Sequence, residues 1–428
     1  MNASIQPPTS SSALTYRRMM NGVEPLDDLL ADLRTRRSHS IGLSTAKLLV
    51  GVYRRVAAGR RFDRKIRRSA ASQMDGLRDL SMKSRHRNPD GLQGEHYLGA
   101  DERAAFERDG LLGPFDVMSP QEARRLADHA ERWHETEFED TGVMTPEINA
   151  ALRGAGQQSI NYTGMYQALR KRPLFDLVRA PEIAQRMASL LGDDVICWRS
   201  QFFAKKPGEV GTFWHQGSVF RELAKARKLS PPPGVAPGMV QLTAWVALRD
   251  VTVANGALRC VPGSCRDGRI EYMYSHIQDH PLATLAAMPP KHAARILETM
   301  LYTTGVFTRS HALFEAIIDQ LGPILDGLEV RDLTMRAGQA IIFTSLNLHG
   351  SYPNTTPDQT RLAFAGRYTA ADVGVFQESK TDRLGGPRGV MPYSLERCLP
   401  IHVHGDPGRG VNHTVTEPFA ESTVLRPR

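Results

Sequence analysis

Apolar positions change their period along this chain. From about residue 25 to 82 they fall at helical spacing, as in Leu26, Leu29, Leu30 and Leu33, then Leu48, Leu49 and Val52. That spacing predicts two or three helices. Asn88, Pro89, Asp90 and Gly91 then mark residues 86–94 as a turn-forming linker. Residues 101–108 predict a short helix ended by Gly110. Ser119-Pro120-Gln121-Glu122 is a capping box with proline at the first helical position, opening a helix to about His134. Residues 181–191 predict another helix, closed by Gly192.

Beyond Gly192 the pattern becomes one of strands. Residues 195–204, 240–248, 257–261, 339–344 and 361–369 are rich in β-branched and aromatic side chains. Turns such as Lys206-Pro207-Gly208, Ala254-Asn255-Gly256 and Pro262-Gly263-Ser264 separate them. Many short strands with Gly/Pro turns predict a barrel or sandwich. Two amphipathic stretches, residues 291–302 and 311–328, are expected as helices outside the sheet or over its mouth. The expected organisation is a helical extension over residues 1–95, its first 15 or so disordered, and a mainly β body with flanking helices over residues 96–428.

Charge supports that division. Residues 1–100 carry 18 Lys+Arg against 9 Asp+Glu, a net of +9, whereas the remaining 36 and 37 give −1. The basic character therefore belongs to the extension, most densely to residues 54–68. That segment could meet nucleic acid, an acidic protein or a phosphate-bearing substrate, or could be a solvated helix packed on the body. It carries no aromatic interleaving and no nucleic-acid motif, which argues against the first. No apolar run reaches the roughly 18 residues of a membrane span, and no secretory signal is evident. Four cysteines in 428 residues are no disulfide framework, so a cytoplasmic protein without membrane partners is expected.

Two of the fourteen histidines stand apart. His215 lies in Gly211–Phe220, GTFWHQGSVF, and His349 in NLHGS, each at the end of a predicted strand. Arg361 follows twelve residues later inside the next strand. Two such histidines and a strand arginine suit a non-haem iron(II) centre that chelates 2-oxoglutarate, the arginine pairing with its distal carboxylate. The usual third ligand of such a centre is a carboxylate two residues after the first histidine. Here that residue is Gly217.

Longer segments carry a family resemblance: FERDGLLGPFDVMSP, VICWRSQFFAKKPGEVGTFWHQG, TAWVALRDVTVANGALRCVPGS, AGQAIIFTSLNLHGSYPN and RLAFAGRYT. Over about residues 98–419 the chain resembles the iron(II)/2-oxoglutarate-dependent chlorinating enzymes, the syringomycin-type halogenases of the phytanoyl-CoA dioxygenase superfamily. The resemblance implies a double-stranded β-helix, a jelly-roll or cupin-like core. It implies iron(II), 2-oxoglutarate, O2 and chloride as cofactors, with chloride in the position that the missing carboxylate vacates. Position by position, it makes His215 and His349 the iron ligands and assigns the 2-oxoglutarate to Arg361, Thr212, Trp245 and Ser351. Arg367 would stand beside the halide at Gly217, and Phe220, Asn161 and Tyr162 would line the substrate cavity.

Blander readings of single residues remain open: Trp245 and Phe220 as core, Thr212 as a plain strand residue, Arg367 as a surface pair, Asn161 and Tyr162 as a turn. Gly217 could mark a bulge in a barrel that has lost its metal, and Glu222 could bend back as a carboxylate ligand. The expected reaction is chlorination of an unactivated sp3 carbon in natural-product biosynthesis. The substrate would be an aminoacyl or acyl group on a carrier protein, or a free small molecule. The alternatives are a hydroxylating oxygenase of the same superfamily and a non-catalytic barrel.

Overall fold

The computed structural model describes residues 80, 82–86, 91–136, 160–217, 228–270, 327–377, 381–386, 389–395 and 398–419. The helices expected before residue 80, and nearly all of the two amphipathic stretches after residue 290, lie outside the described residues, as do Phe220 and Glu222.

Helices α1 (Ala100–Asp109), α2 (Pro120–Thr136), α3 (Ile160–Thr163), α4 (Arg172–Val178) and α5 (Pro181–Leu191) precede or flank most of the strands. Their ends follow the chemistry of their caps. Gly110 takes the left-handed conformation, φ 64°, and its N–H closes α1 on the Phe106 carbonyl. The Glu122 carboxylate returns to the Ser119 N–H at 2.9 Å, while the Glu122 N–H donates to the Ser119 hydroxyl at 3.3 Å, making the expected capping box of α2.

The strands are β1 (Leu111–Asp116), β2 (Val195–Lys205), β3 (Thr212–His215), β4 (Leu229–Ser230), β5 (Leu242–Ala247), β6 (Leu258–Val261) and β7 (Arg331–Leu333). There follow β8 (Gln339–Thr344), β9 (Leu348–Ser351), β10 (Arg361–Ala370), β11 (Gly374–Val375), β12 (Thr381–Gly386), β13 (Gly389–Ser394) and β14 (Ile401–His404). A six-stranded sheet runs β1-β8-β5-β10-β2-β14, and a four-stranded sheet runs β3-β9-β6-β7. Every named pair in both is antiparallel. This is the mainly β, jelly-roll double-stranded β-helix with flanking helices, and β1, which carries Pro114, sits at a sheet edge, where a missing N–H costs no ladder bond.

Strand alternation sorts the large sheet into two faces. Leu242, Ala244, Val246, Ala340, Ile342, Leu362, Phe364 and Tyr368 join the core under α1, α2, α4 and α5. Trp245, Ala247, Ile341, Phe343, Ala363 and Ala365 meet Cys260 and Leu333 of the small sheet in a second core between the sheets. A face with a core on each side leaves little slack, so side chains that point between the sheets are held where the ladder puts them.

The last residues assigned to the extension are built into this body. Met82 is buried in the main core, the Arg85 N–H donates to the Leu190 carbonyl at 2.8 Å, and Arg85 pairs with Asp372 at 2.7 Å.

Candidate metal and cosubstrate site

The two histidines are placed by a bulge. Thr212 pairs with Ser351 and His215 with His349, so three steps along β3 match two along β9. One extra residue in β3 re-aims the side chains that follow it, and the imidazoles meet with ring centroids 4.3 Å apart and planes tilted by 47°. Phe343 reaches across from the large sheet to within 5.0 Å of the His349 ring centroid, so His349 faces the space between the sheets.

A firm backing holds His349. Its Nδ1–H donates to the Asn347 carbonyl at 2.7 Å, which leaves the Nε2 lone pair for a metal. Asn347 is itself buried, with its amide donating to the carbonyls of Asp109 and Gly110 at 2.9 and 2.8 Å. Burial pushes His349 down to about 4; the Asn347 carbonyl works against this and Arg367 adds to it. The ring is thus neutral near pH 7, as a metal ligand must be.

The chain beyond His215 runs against the end of β8. Gln216 donates to the Leu346 carbonyl, and the Gly217 N–H donates to the Ser345 carbonyl at 2.6 Å. A Cβ at position 217 would lie 2.8 Å from the Ser345 Cβ. Glycine therefore has a packing reason here, besides supplying no ligand. Among the described residues no group of three or more His, Cys, Asp or Glu is placed to hold a metal, so none of those described joins the histidine pair as a third donor.

Arg361 is 4% exposed. Its Nη1–H donates to the Gly256 carbonyl at 2.6 Å, and its Cζ lies 5.5 Å from the Trp245 ring centroid. Burial lowers it to about 10, opposed by Glu209, so it stays a cation. Its buried Nε has no protein acceptor, an arrangement that a bound carboxylate would complete. Thr212 and Ser351 meet directly: the Ser351 hydroxyl accepts the Thr212 N–H at 3.1 Å and donates to the Thr212 hydroxyl at 3.0 Å. A pair of facing imidazoles, one of them held neutral, with an incompletely satisfied buried guanidinium and paired hydroxyls, fits a divalent metal with a dicarboxylate cosubstrate.

Asn161 has a different placement. Its amide donates to the Ala204 carbonyl at 3.0 Å and its Oδ1 accepts the Ala204 N–H, while the Tyr166 N–H donates to the Ser200 carbonyl at 2.9 Å. The segment from α3 to Tyr166 thereby covers the stretch of β2 that β14 leaves unpaired. Asn161 is committed to that edge. The Tyr162 side chain lies outside the described residues.

Residues that the sequence reading passed over also face inward. In β2, Arg199, Gln201 and Phe203 lie opposite Arg367, Ala365 and Ala363. All three are partly exposed, while Ser200 and Phe202 between them are buried. The alternation of Arg-Ser-Gln-Phe-Phe was the available signal. Lys205, opposite Arg361, is buried, and burial pushes it down to about 7, with Arg361 adding to the fall.

Comparison with known proteins follows the same body. The profile of the phytanoyl-CoA dioxygenase (PhyH) family matches residues 106–363. An ectoine dioxygenase of Bordetella parapertussis is 26% identical over 263 residues, covering 61% of this chain and 72% of that protein. A probable alpha-ketoglutarate-dependent hypophosphite dioxygenase of Stutzerimonas stutzeri is 24% identical, covering 54% of this chain and 68% of its own. The solved structure of CytC3, 22% identical, superposes with a TM-score of 0.50 over 75% of this chain and 94% of that one, a likeness of fold.

Proposed function

The chain belongs to the phytanoyl-CoA dioxygenase family, and on that premise we propose that it is an iron(II)- and 2-oxoglutarate-dependent oxidoreductase acting on a C–H bond. The observation that carries this is the His215–His349 register pair, its rings 4.3 Å apart and facing the buried space that Arg361 and Trp245 also face. His215 and His349 would hold iron(II). Arg361, with Trp245 behind it and the Thr212–Ser351 pair beside the histidines, would hold the 2-oxoglutarate carboxylate. When bound, iron(II) with 2-oxoglutarate and O2 supplies the oxidation that opens an aliphatic C–H bond.

Two outcomes at the carbon compete. Oxygenation is the reading that the named relatives support more directly, since one is an ectoine dioxygenase and the other a probable alpha-ketoglutarate-dependent dioxygenase. Chlorination is the reading that position 217 supports. Neutral histidines and a dianionic cosubstrate leave an iron(II) centre uncharged, so chloride adds the same single negative charge that an Asp or Glu would. No described carboxylate accompanies the pair, and Gly217 leaves that charge unsupplied. The substrate would be a small molecule, free or tethered to an acyl or peptidyl carrier protein. Carrier docking would fall to the basic N-terminal segment, and its truncation should stop before residue 80 because Met82 and Arg85 pack on the body.

The test begins with anaerobic protein, iron(II) and 2-oxoglutarate. A metal-to-ligand charge-transfer band is expected, and its absence would remove the iron reading. A band shifted by chloride supports chlorination, and one indifferent to chloride supports oxygenation. Gly217→Ala and Gly217→Asp introduce the same Cβ beside Ser345 but differ in the carboxylate. Loss of the chloride shift in Gly217→Asp, with the shift retained in Gly217→Ala, is the expected result for a halide position.

A further inference from the structure

The turn of residues 345–347 joins β8 of the large sheet to β9 of the small one. Its three carbonyls, taken in succession, receive the chain at both histidines. Ser345 accepts the Gly217 N–H at 2.6 Å, Leu346 accepts the Gln216 side-chain amide, and Asn347 accepts the His349 Nδ1–H at 2.7 Å. The first two hold the segment that leaves His215, and the third holds the ring of the second ligand itself. One turn therefore bears on where both imidazoles stand.

The Asn347 side chain anchors the end of this turn that precedes His349. It is wholly buried, its Nδ2 donates to the Asp109 and Gly110 carbonyls at 2.9 and 2.8 Å, and its Oδ1 accepts the Cys265 N–H at 3.3 Å. One short amide thus ties the turn to the end of α1 and to the segment that follows β6. The fit is close: a Cβ at Gly110 would lie 2.6 Å from the Cys265 Sγ and 2.9 Å from the Asn347 Nδ2. A backbone carbonyl can only accept, so while the turn stays in place the His349 proton stays on Nδ1. We propose that Asn347 is a positioning residue for the metal site. By pinning the turn to α1, its amide fixes the tautomer and direction of His349 and, through the Ser345 and Leu346 carbonyls, the seat of the segment after His215. This rests on the proposed iron reading of the histidine pair, and it adds the residue that holds the pair in place.

The experiment compares Asn347→Ala with Asn412→Ala in the full-length protein. Asn412 is a matched control near β11: its amide donates to the Ala371 and Val373 carbonyls at 3.2 and 2.8 Å, and its Oδ1 accepts the Val375 N–H at 2.8 Å. The first reading is the His349 tautomer in the metal-free protein near pH 7, from nitrogen–proton correlation NMR of the imidazoles. The His349 signals are identified by their absence from His349→Gln. The second is iron(II) affinity, titrated anaerobically with 2-oxoglutarate through the charge-transfer band. The wild type should show the Nδ1–H form. Asn347→Ala should mix in the Nε2–H form and bind iron(II) about 10–100-fold more weakly, while Asn412→Ala lowers the melting temperature and leaves both readings unchanged. A wild-type tautomer and affinity in Asn347→Ala, or equal losses in the two variants, would reduce Asn347 to a structural residue and overturn the proposal. Asn347→Ser, with a hydroxyl in place of the amide, is read in the same two ways should the alanine variant not fold. A missing band in the wild type removes the iron reading instead, and the tautomer in the metal-free chain then still decides the role of Asn347.

Discussion

The two sheets of this barrel divide the labour unequally. The large sheet has a core on each face, and its strands reach 11 residues in β2 and 10 in β10. The small sheet is built from strands of 3 and 4 residues, yet both histidines are on it. Bulk stability thus resides in one layer and the metal ligands in the other. The small sheet keeps its ligands in place through specific bonds, such as Asn347 to the end of α1, rather than through area buried. A site can sit on short strands when a long sheet behind it is rigid.

The largest effect that would separate the layers is on the small sheet. His349→Ala should abolish iron(II) retention and turnover, because one neutral imidazole remains where two are needed. The melting temperature of the metal-free protein should fall little beside that of a core deletion. Metal analysis after gel filtration, together with a thermal melt, checks both halves. A variant that still retained one equivalent of iron would remove His349 from the ligand set.

Next is the converse change on the large sheet. Phe364 is buried against Phe202 with ring centroids 4.8 Å apart, on the face that looks toward the helices. Phe364→Ala should cost about 3–5 kcal/mol by leaving a cavity, read from denaturant unfolding. The molecules that remain folded should still form the charge-transfer band. A band lost in proportion beyond the unfolded fraction would mean that the two layers are coupled more tightly than the two separate cores suggest.

That division also governs what was legible in the sequence. The strand at residues 339–344 and the helix at residues 181–191 have the predicted bounds, and β2, β5 and β10 differ by a residue or two at their ends. Runs of buried β-branched and aromatic residues announce themselves. β3 and β9 do not, because four residues are too few to show a period, and the bulge that pairs His215 with His349 breaks the alternation that would have revealed it. The histidines themselves stood out because each closes a predicted strand in a similar setting, with Arg361 inside the next strand and a family likeness in support. Arg199 and Gln201 were hidden for another reason. Their strand was read as an apolar segment, so the alternation of Arg199 and Gln201 with Ser200 and Phe202 was passed over, and β10 laid beside it shows what they face. Asn161 was expected in the cavity wall, and no sequence signal could say that its amide would instead stand in for a missing strand.

The smallest effect belongs to that edge. Asn161 gives β2 two hydrogen bonds at Ala204, donating to its carbonyl and accepting from its N–H, where β14 no longer runs alongside. Asn161→Ala removes both and leaves an N–H and a carbonyl to find water, so a loss of about 1–2 kcal/mol is expected. Asn161→Asp keeps the acceptor and loses the donor, and should cost less than the alanine variant. Amide exchange at Ala204 supplies the site-specific reading: faster exchange in Asn161→Ala, with exchange in β5 unchanged, is the signature of an unzipped edge. If exchange at Ala204 were unaltered, the edge would be held by the Tyr166–Ser200 bond and by the Gln201 amide on the Asn161 backbone carbonyl. Asn161 would then be available to the cavity after all.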